Sequence, residues 1–257
     1  MRITFDSNVW QMVVRPSLVP KHQNYDDFCF VHEALRSKRI EGFISETVGT
    51  LEAIKRAGRS SYFNSIRPIV DVKLENVKGN QLLISVNIGT NHAQHPGLAP
   101  VLQDRLEAAF ALGIRVMRAA RISIPVPTPF LSLEHYADEH DIEASAKRDN
   151  YWGEVLEAIE LRGVGAAVLK AVKQSLRQSV GVSSAEQENE FARAIAEWAD
   201  GDSVAAHVAY NNDLFCTEDK GNSAGGKSIL DQSSRLWLRN TYGMKFATLR
   251  ELAQQIK

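Results

Sequence analysis

Cysteine is scarce in this chain: Cys29 and Cys216 stand 187 positions apart in 257 residues. That spacing fits no metal-ligand pattern and rules out a disulfide-framed secreted scaffold, so two reduced thiols in a cytoplasmic protein are expected. Neither sign of charge is in excess. Thirty basic against thirty-one acidic residues leave a net charge of −1. With no global cationic field, a nucleic acid or membrane surface has to be held by a local patch. No apolar run approaches the ~18 residues of a membrane span. The opening MRITFDSNVW lacks the apolar stretch of an export signal, so neither export nor membrane insertion is expected. Internal repeats and low-complexity tracts are also missing. What is present is a 44% apolar composition over 257 residues, enough to bury a substantial core.

The element pattern is that of an α/β protein. RITF, residues 2–5, reads as a strand halted by Asp6, Ser7 and Asn8, which end strands and cap helices. NVWQMVV and YDDFCFVHEALRSK read as helices. EGFIS, 41–45, is a second strand, with Ser45 placed to cap the helix ETVGTLEAIKR. VDVKLENV and QLLISVNI flank Gly79-Asn80 as a hairpin, PVLQDRLEAAFALG (100–113) is an amphipathic helix, and IRVM is a strand running into a loop of three prolines. From about 133 to 197 the pattern is helical, with a polar break at 180–190. AIAEWADGDSVAAHVAY is a helix or a helix pair interrupted at Asp-Gly-Asp, with Asp202 placed to cap the second half. DLFCTED is a strand, and a glycine-rich loop, a helix, the strand MKFAT and a last helix follow. Strands alternating with helices predict a parallel sheet.

Acidic residues fall at the ends of those strands. Asp6 closes the first and Asp219 closes DLFCTED, while Glu52 follows the second strand by seven residues. Open parallel sheets gather their ligands beyond the carboxyl ends of the strands. Carboxylates converging there repel one another, and an all-oxygen set favours Mg²⁺ or Mn²⁺ as the neutralising cation. Each acid also has a plainer role: Asp6 as a helix cap, Asp202 as an N-cap, Glu52 as a solvated helix residue. Glu46 and Asp200 are close rivals of Glu52 and Asp202.

The order DSNVW, FISETVGTLE, DSVAAHVAYNNDLFCTED and SRLWLRNTYGMKFATLREL resembles the PIN-domain nucleases. The resemblance covers residues 1–57 and 190–257. It implies a three-layer α/β/α sandwich around a parallel sheet, elaborated by a mostly helical insertion over 58–189, part of which belongs to the core. It implies an endoribonuclease whose Asp6, Glu52, Asp202 and Asp219 are catalytic. Asp6, Asp202 and Asp219 then hold Mg²⁺ or Mn²⁺, and Asn8 and Thr217 support them. Implied partners are an RNA substrate, an antitoxin or other regulatory protein as in toxin–antitoxin pairs, and a second copy in a homo-oligomer. The 150 positions between Glu52 and Asp202 depart from compact members of the family.

GNSAGGKS, 221–228, also satisfies the P-loop pattern G-x-x-x-x-G-K-[ST]. Only 29 residues follow it, with no acid-tipped strand to serve as a Walker-B partner. The better expectation is a loop beside the acids, in which Lys220 and Lys227 meet a phosphate. Arg56 and Arg59 in RAGRSSYF are expected to contact RNA phosphates, with Tyr62 or Phe63 as a stacking surface. His207 is expected to pack rather than catalyse.

Overall fold

In the computed structural model, residues 1–66, 68–77, 81–90, 96–119, 132–137, 142–178, 185–221 and 228–257 are described. Five parallel strands form the central sheet: β1 (Arg2–Phe5), β2 (Glu41–Ser45), β5 (Arg115–Met117), β6 (Leu214–Cys216) and β7 (Phe246–Ala247). Their order is β5-β2-β1-β6-β7, and the hairpin β3 (Pro68–Val77) with β4 (Gln81–Thr90) is a separate antiparallel pair. The chain builds outward from β1 through β2 to β5, then crosses back to place β6 on the other side of β1. The sheet therefore reverses direction between β1 and β6, the position at which a parallel α/β sheet opens a crevice.

Strand periodicity sends alternate side chains to opposite faces. Ile3, Phe5, Ile44, Val116, Leu214 and Cys216 join one buried cluster with helices α1 (Ser7–Val14), α2 (Tyr25–Arg36), α4 (Pro100–Ala111) and α9 (Leu249–Gln255). Phe43, Met117 and Phe215 point the other way, into α5 (Ile142–Leu161), α7 (Ala185–Ala209) and α8 (Gln232–Tyr242). Helices thus cover both faces of an α/β sheet, an arrangement compatible with three layers. Trp10, Phe5 and Phe28 are at most 1% exposed, each worth roughly 1.5–3 kcal/mol as buried side chains. Segments from within 58–189 take part in this body: β5 pairs with β2, α4 supplies Leu106 and Ala109, and α5 supplies Val155 and Ile159.

Two local outcomes differ from the sequence reading. After β2 the chain forms a π-helix, Val48–Glu52, and only then the helix α3 (Arg56–Ser65). And α7 is one continuous helix of 25 residues. Asp202 therefore caps nothing; it sits in mid-helix, 1% exposed. Apolar contact carries α7 through its Asp-Gly-Asp run. Phe191, Ala194, Ile195, Trp198 and Ala199 pack with Leu51, Ile54 and Phe63 and with α6 (Ala166–Gln178). Gly201 allows that approach, since a Cβ on it would lie 3.0 Å from the Gly165 Cα. This third cluster fixes the π-helix against α7 and so decides which acids meet.

Candidate active site at the carboxyl end of the sheet

Asp6 leaves β1 with extended backbone (φ −70°, ψ 160°) and caps α1. Its carboxylate is 4% exposed and fully engaged. Oδ1 accepts from the Ser7 amide at 2.7 Å; Oδ2 accepts from Asn8 Nδ2 at 3.0 Å and from Thr217 Oγ1 at 2.5 Å. Asn8 Oδ1 in turn accepts the Glu218 amide at 3.1 Å. Asn8 and Thr217 thus tie the end of β1 to the end of β6 and orient Asp6.

Asp219 is half-buried. Its amide donates to Thr217 Oγ1 at 3.0 Å and its Oδ1 accepts from the Gly221 amide at 2.7 Å, closing a tight turn. Only glycine suits the end of that turn. Gly221 has φ +68°, and a Cβ there would stand 2.4 Å from the Asp231 amide nitrogen.

The third and fourth acids are Glu52 and Asp200. Both line a cavity of about 260 Å³ with Ser7, Asn8, Gln11 and Arg59. Burial, then the Asp6 charge, pushes Glu52 up to about 7, against a lowering hydrogen bond from Ser7. Burial, followed by the charges of Asp6, Glu197, Glu52 and Asp219, holds Asp200 well above the usual carboxylate range. Asp6 is itself raised, mainly by burial, with Asp219 adding to the effect. Asp6, Glu52, Asp200 and Asp219 therefore occupy one electrostatic neighbourhood at the sheet reversal.

The structure places the members of each rival pair differently. Residues 200 and 202 lie about 200° apart around a helix; Asp200 faces the crevice and Asp202 is enclosed in the core. Glu46 serves elsewhere: its Oε1 accepts from the Tyr136 hydroxyl at 2.5 Å and its Oε2 from the Ala119 amide at 3.1 Å. Glu46 thus latches the exit of β5 and does not join the acid group.

The basic residues divide. Arg59 lines the acid cavity, but its guanidinium donates to the main-chain carbonyls of Ile54 (2.9 Å) and Glu52 (3.0 Å), bracing the turn that carries Glu52. Lys220 opens onto a different cavity. Lys227 and the side chain of Arg56 lie outside the described residues. Phe63 is no stacking surface. It is 5% exposed and packs edge-on against Trp198 at 5.8 Å. His207 packs as expected, with Nδ1 2.8 Å from Thr4 Oγ1, and burial lowers it to about 3, so it is neutral.

Two participants escape sequence reasoning. Ser7 looks like an ordinary helix-start serine, yet it hydrogen-bonds Glu52. Glu197 is 4% exposed, and its Oε1 accepts the amides of Ile229 at 2.6 Å and Gly165 at 3.2 Å. It anchors the return of the chain at 229 to α7, one turn before Asp200. The only signal for it in the sequence is its i, i+3 spacing to Asp200.

All four crevice groups are hard oxygen donors, three of them held at raised pKa by mutual repulsion and burial, which suits a divalent cation that would neutralise them. Among the described residues no three His, Cys, Asp or Glu side chains are already assembled as a metal-holding group. The four acids act on one another electrostatically, with Glu52 and Asp200 lining the cavity, and do not form a finished coordination shell.

The P-loop reading loses its geometry. A P-loop lysine and serine open a helix whose amino end receives phosphate. Here Ser228 is 3% exposed, a turn follows it, and α8 starts only at Gln232. The N-cap of that helix is Asp231, whose carboxylate already accepts the Ser234 amide at 2.7 Å. Comparison with protein-family models, curated proteins and solved structures gives no match for this chain.

Proposed function

We propose that this chain is a metal-dependent endoribonuclease of the PIN-like kind, a three-layer α/β/α nuclease core with helical elaborations. The observation that supports it best is the common neighbourhood of Asp6, Glu52, Asp200 and Asp219 at the β1/β6 reversal. Asp6, Asp200 and Asp219 would hold Mg²⁺ or Mn²⁺, with Asp200 taking the place that the family resemblance assigned to Asp202. When bound, the cation lowers the pKa of a water to favour hydroxide and neutralises charge developing on a phosphodiester.

The chain's own residues supply the rest. Thr217 and Asn8 hold Asp6 Oδ2 so that this carboxylate needs no reorganisation on binding. Glu52, near 7 and bonded to Ser7, is poised to take or return a proton near neutral pH.

The test is cleavage of a mixed single-stranded RNA pool with and without Mn²⁺. Wild-type protein cleaves only with metal, and Asp6→Asn abolishes turnover while retaining the α1 cap, since asparagine also caps helices. An Asp6→Asn protein cleaving at the wild-type rate would sink the proposal. A second reading is a PIN-like module that binds RNA or protein without turnover. It predicts no cleavage under any metal and unchanged RNA binding in Asp6→Asn.

A further inference from the structure

Next to Asp219, whose carbonyl Arg235 engages, lies a second cavity of about 370 Å³. Lys220, Leu230, Gln232, Arg235, Leu236 and Arg239 line it, and no acid is among them. Four of the six come from α8 at positions i, i+3, i+4 and i+7, one stripe of the helix. The stripe is cationic and apolar together, and Leu236 keeps 55% of its surface exposed.

Arg235 is fixed there. Its Nε donates to the Leu230 carbonyl at 2.7 Å, its Nη2 donates to the Asp219 carbonyl, and its guanidinium lies over the Phe246 ring at 4.8 Å. Lys220 and Arg239 are exposed, and among the described residues neither has a hydrogen-bond or ion-pair partner for its side chain. Three cations around one cavity repel one another unless an anion joins them. Arg235 also feels the charges of Asp219 and Asp6, so this groove adjoins the acid crevice.

We propose that this face of α8 is the track for the phosphodiester backbone of a single-stranded RNA. Lys220, Arg235 and Arg239 contact phosphates flanking the bond held at the acids, and Leu236 offers an apolar rest for a base. The inference rests on the ribonuclease reading for the choice of ligand. Its recognition is of backbone charge and is sequence-tolerant. An acidic peptide would find the same cations but would gain nothing from bases at Leu236.

The experiment measures binding of a fluorescent single-stranded RNA 12-mer to Asp6→Asn protein across a salt series, with and without Lys220→Ala plus Arg239→Ala. Both side chains are exposed, so the double variant keeps its melting temperature. The expected result is at least tenfold weaker binding and a log–log salt slope shallower by about 1.4, two single-strand phosphate contacts. The matched removal of two exposed cations elsewhere, Lys21→Ala plus Lys38→Ala, is expected to change neither. Unchanged affinity and slope in the groove variant overturn the proposal. So does equal weakening by the control pair, or equal competition by poly-glutamate. The two readings fail separately: intact binding effects without cleavage remove only the nuclease, whereas cleavage with unchanged KM in the groove variant removes only the track.

Discussion

Thr217 Oγ1 donates to Asp6 Oδ2 at 2.5 Å, joining residues 211 positions apart across the reversal of the sheet. The same oxygen accepts the Asp219 amide at 3.0 Å, so one hydroxyl sets two of the four crevice acids. Thr217→Val keeps the shape and removes both bonds. Leaving a buried carboxylate one donor short costs about 1–3 kcal/mol, read by urea denaturation. Because orienting partners tune ligand affinity, Mn²⁺ binding should weaken roughly 10- to 100-fold, with Thr217→Ser restoring it. Unweakened metal binding in Thr217→Val would count against the positioning role.

Asp200 and Asp202 should separate cleanly. Asp200→Asn relieves repulsion with Asp6, Glu52 and Asp219, so the metal-free protein melts at a higher temperature while Mn²⁺ affinity falls. Asp202→Asn acts on a core position and should lower stability by about 1–3 kcal/mol with metal affinity intact. Calorimetric titration paired with thermal melts distinguishes the two, and a reversed pattern would return Asp202 to the site.

The pH dependence of stability carries a sign. Glu52 and Glu197 titrate near 7 when folded against 4.5 ordinarily. Between those values the folded state keeps protons that the unfolded state releases, so stability falls as pH rises through 7. For Glu197, 4% exposed, this amounts to about 3 kcal/mol. His207, lowered to about 3 from 6.5, works in the opposite direction, but its contribution is complete above pH 6.5. In EDTA, unfolding free energy should therefore fall from about pH 5 to 7.5, with His207 offsetting part of the fall below 6.5, and level off by about pH 8; Glu197→Gln should flatten the fall. Saturating Mn²⁺ should reverse it by favouring the ionised acids. Stability climbing over this range in EDTA would contradict the assignment.

Gly221→Ala places a Cβ against the Asp231 backbone at a positive φ. The turn that accepts its hydrogen bond from the Gly221 amide through Asp219 Oδ1 must then open. A loss of about 1–3 kcal/mol and a matching drop in Mn²⁺ affinity are expected from melts and titration; a neutral effect on both would show that the turn does not set Asp219.

The sequence by itself determined most of the elements and the positions of Asp6 and Asp219 after two of the strands. RITF and EGFIS are local signals whose bounds the structure reproduces, while DLFCTED shortens to Leu214–Cys216 and leaves Asp219 three residues beyond the strand. It also exposed the P-loop string as unsupported, since a missing Walker-B acid is visible without coordinates. The remaining choices depended on tertiary structure. Asp200 lines the cavity and Asp202 is enclosed because packing against Leu51, Phe63 and α6 kept α7 unbroken through Asp-Gly-Asp, and an unbroken helix fixes the phase of every residue on it. Glu46 stands apart from Glu52 because Tyr136 and the Ala119 amide, 90 and 73 positions away, engage it. Arg235 joined Lys220 and Arg239 only once α8 was laid beside Asp219. In each case the deciding contact spans the fold, and no local pattern carries the loop closures and packing that bring such residues together.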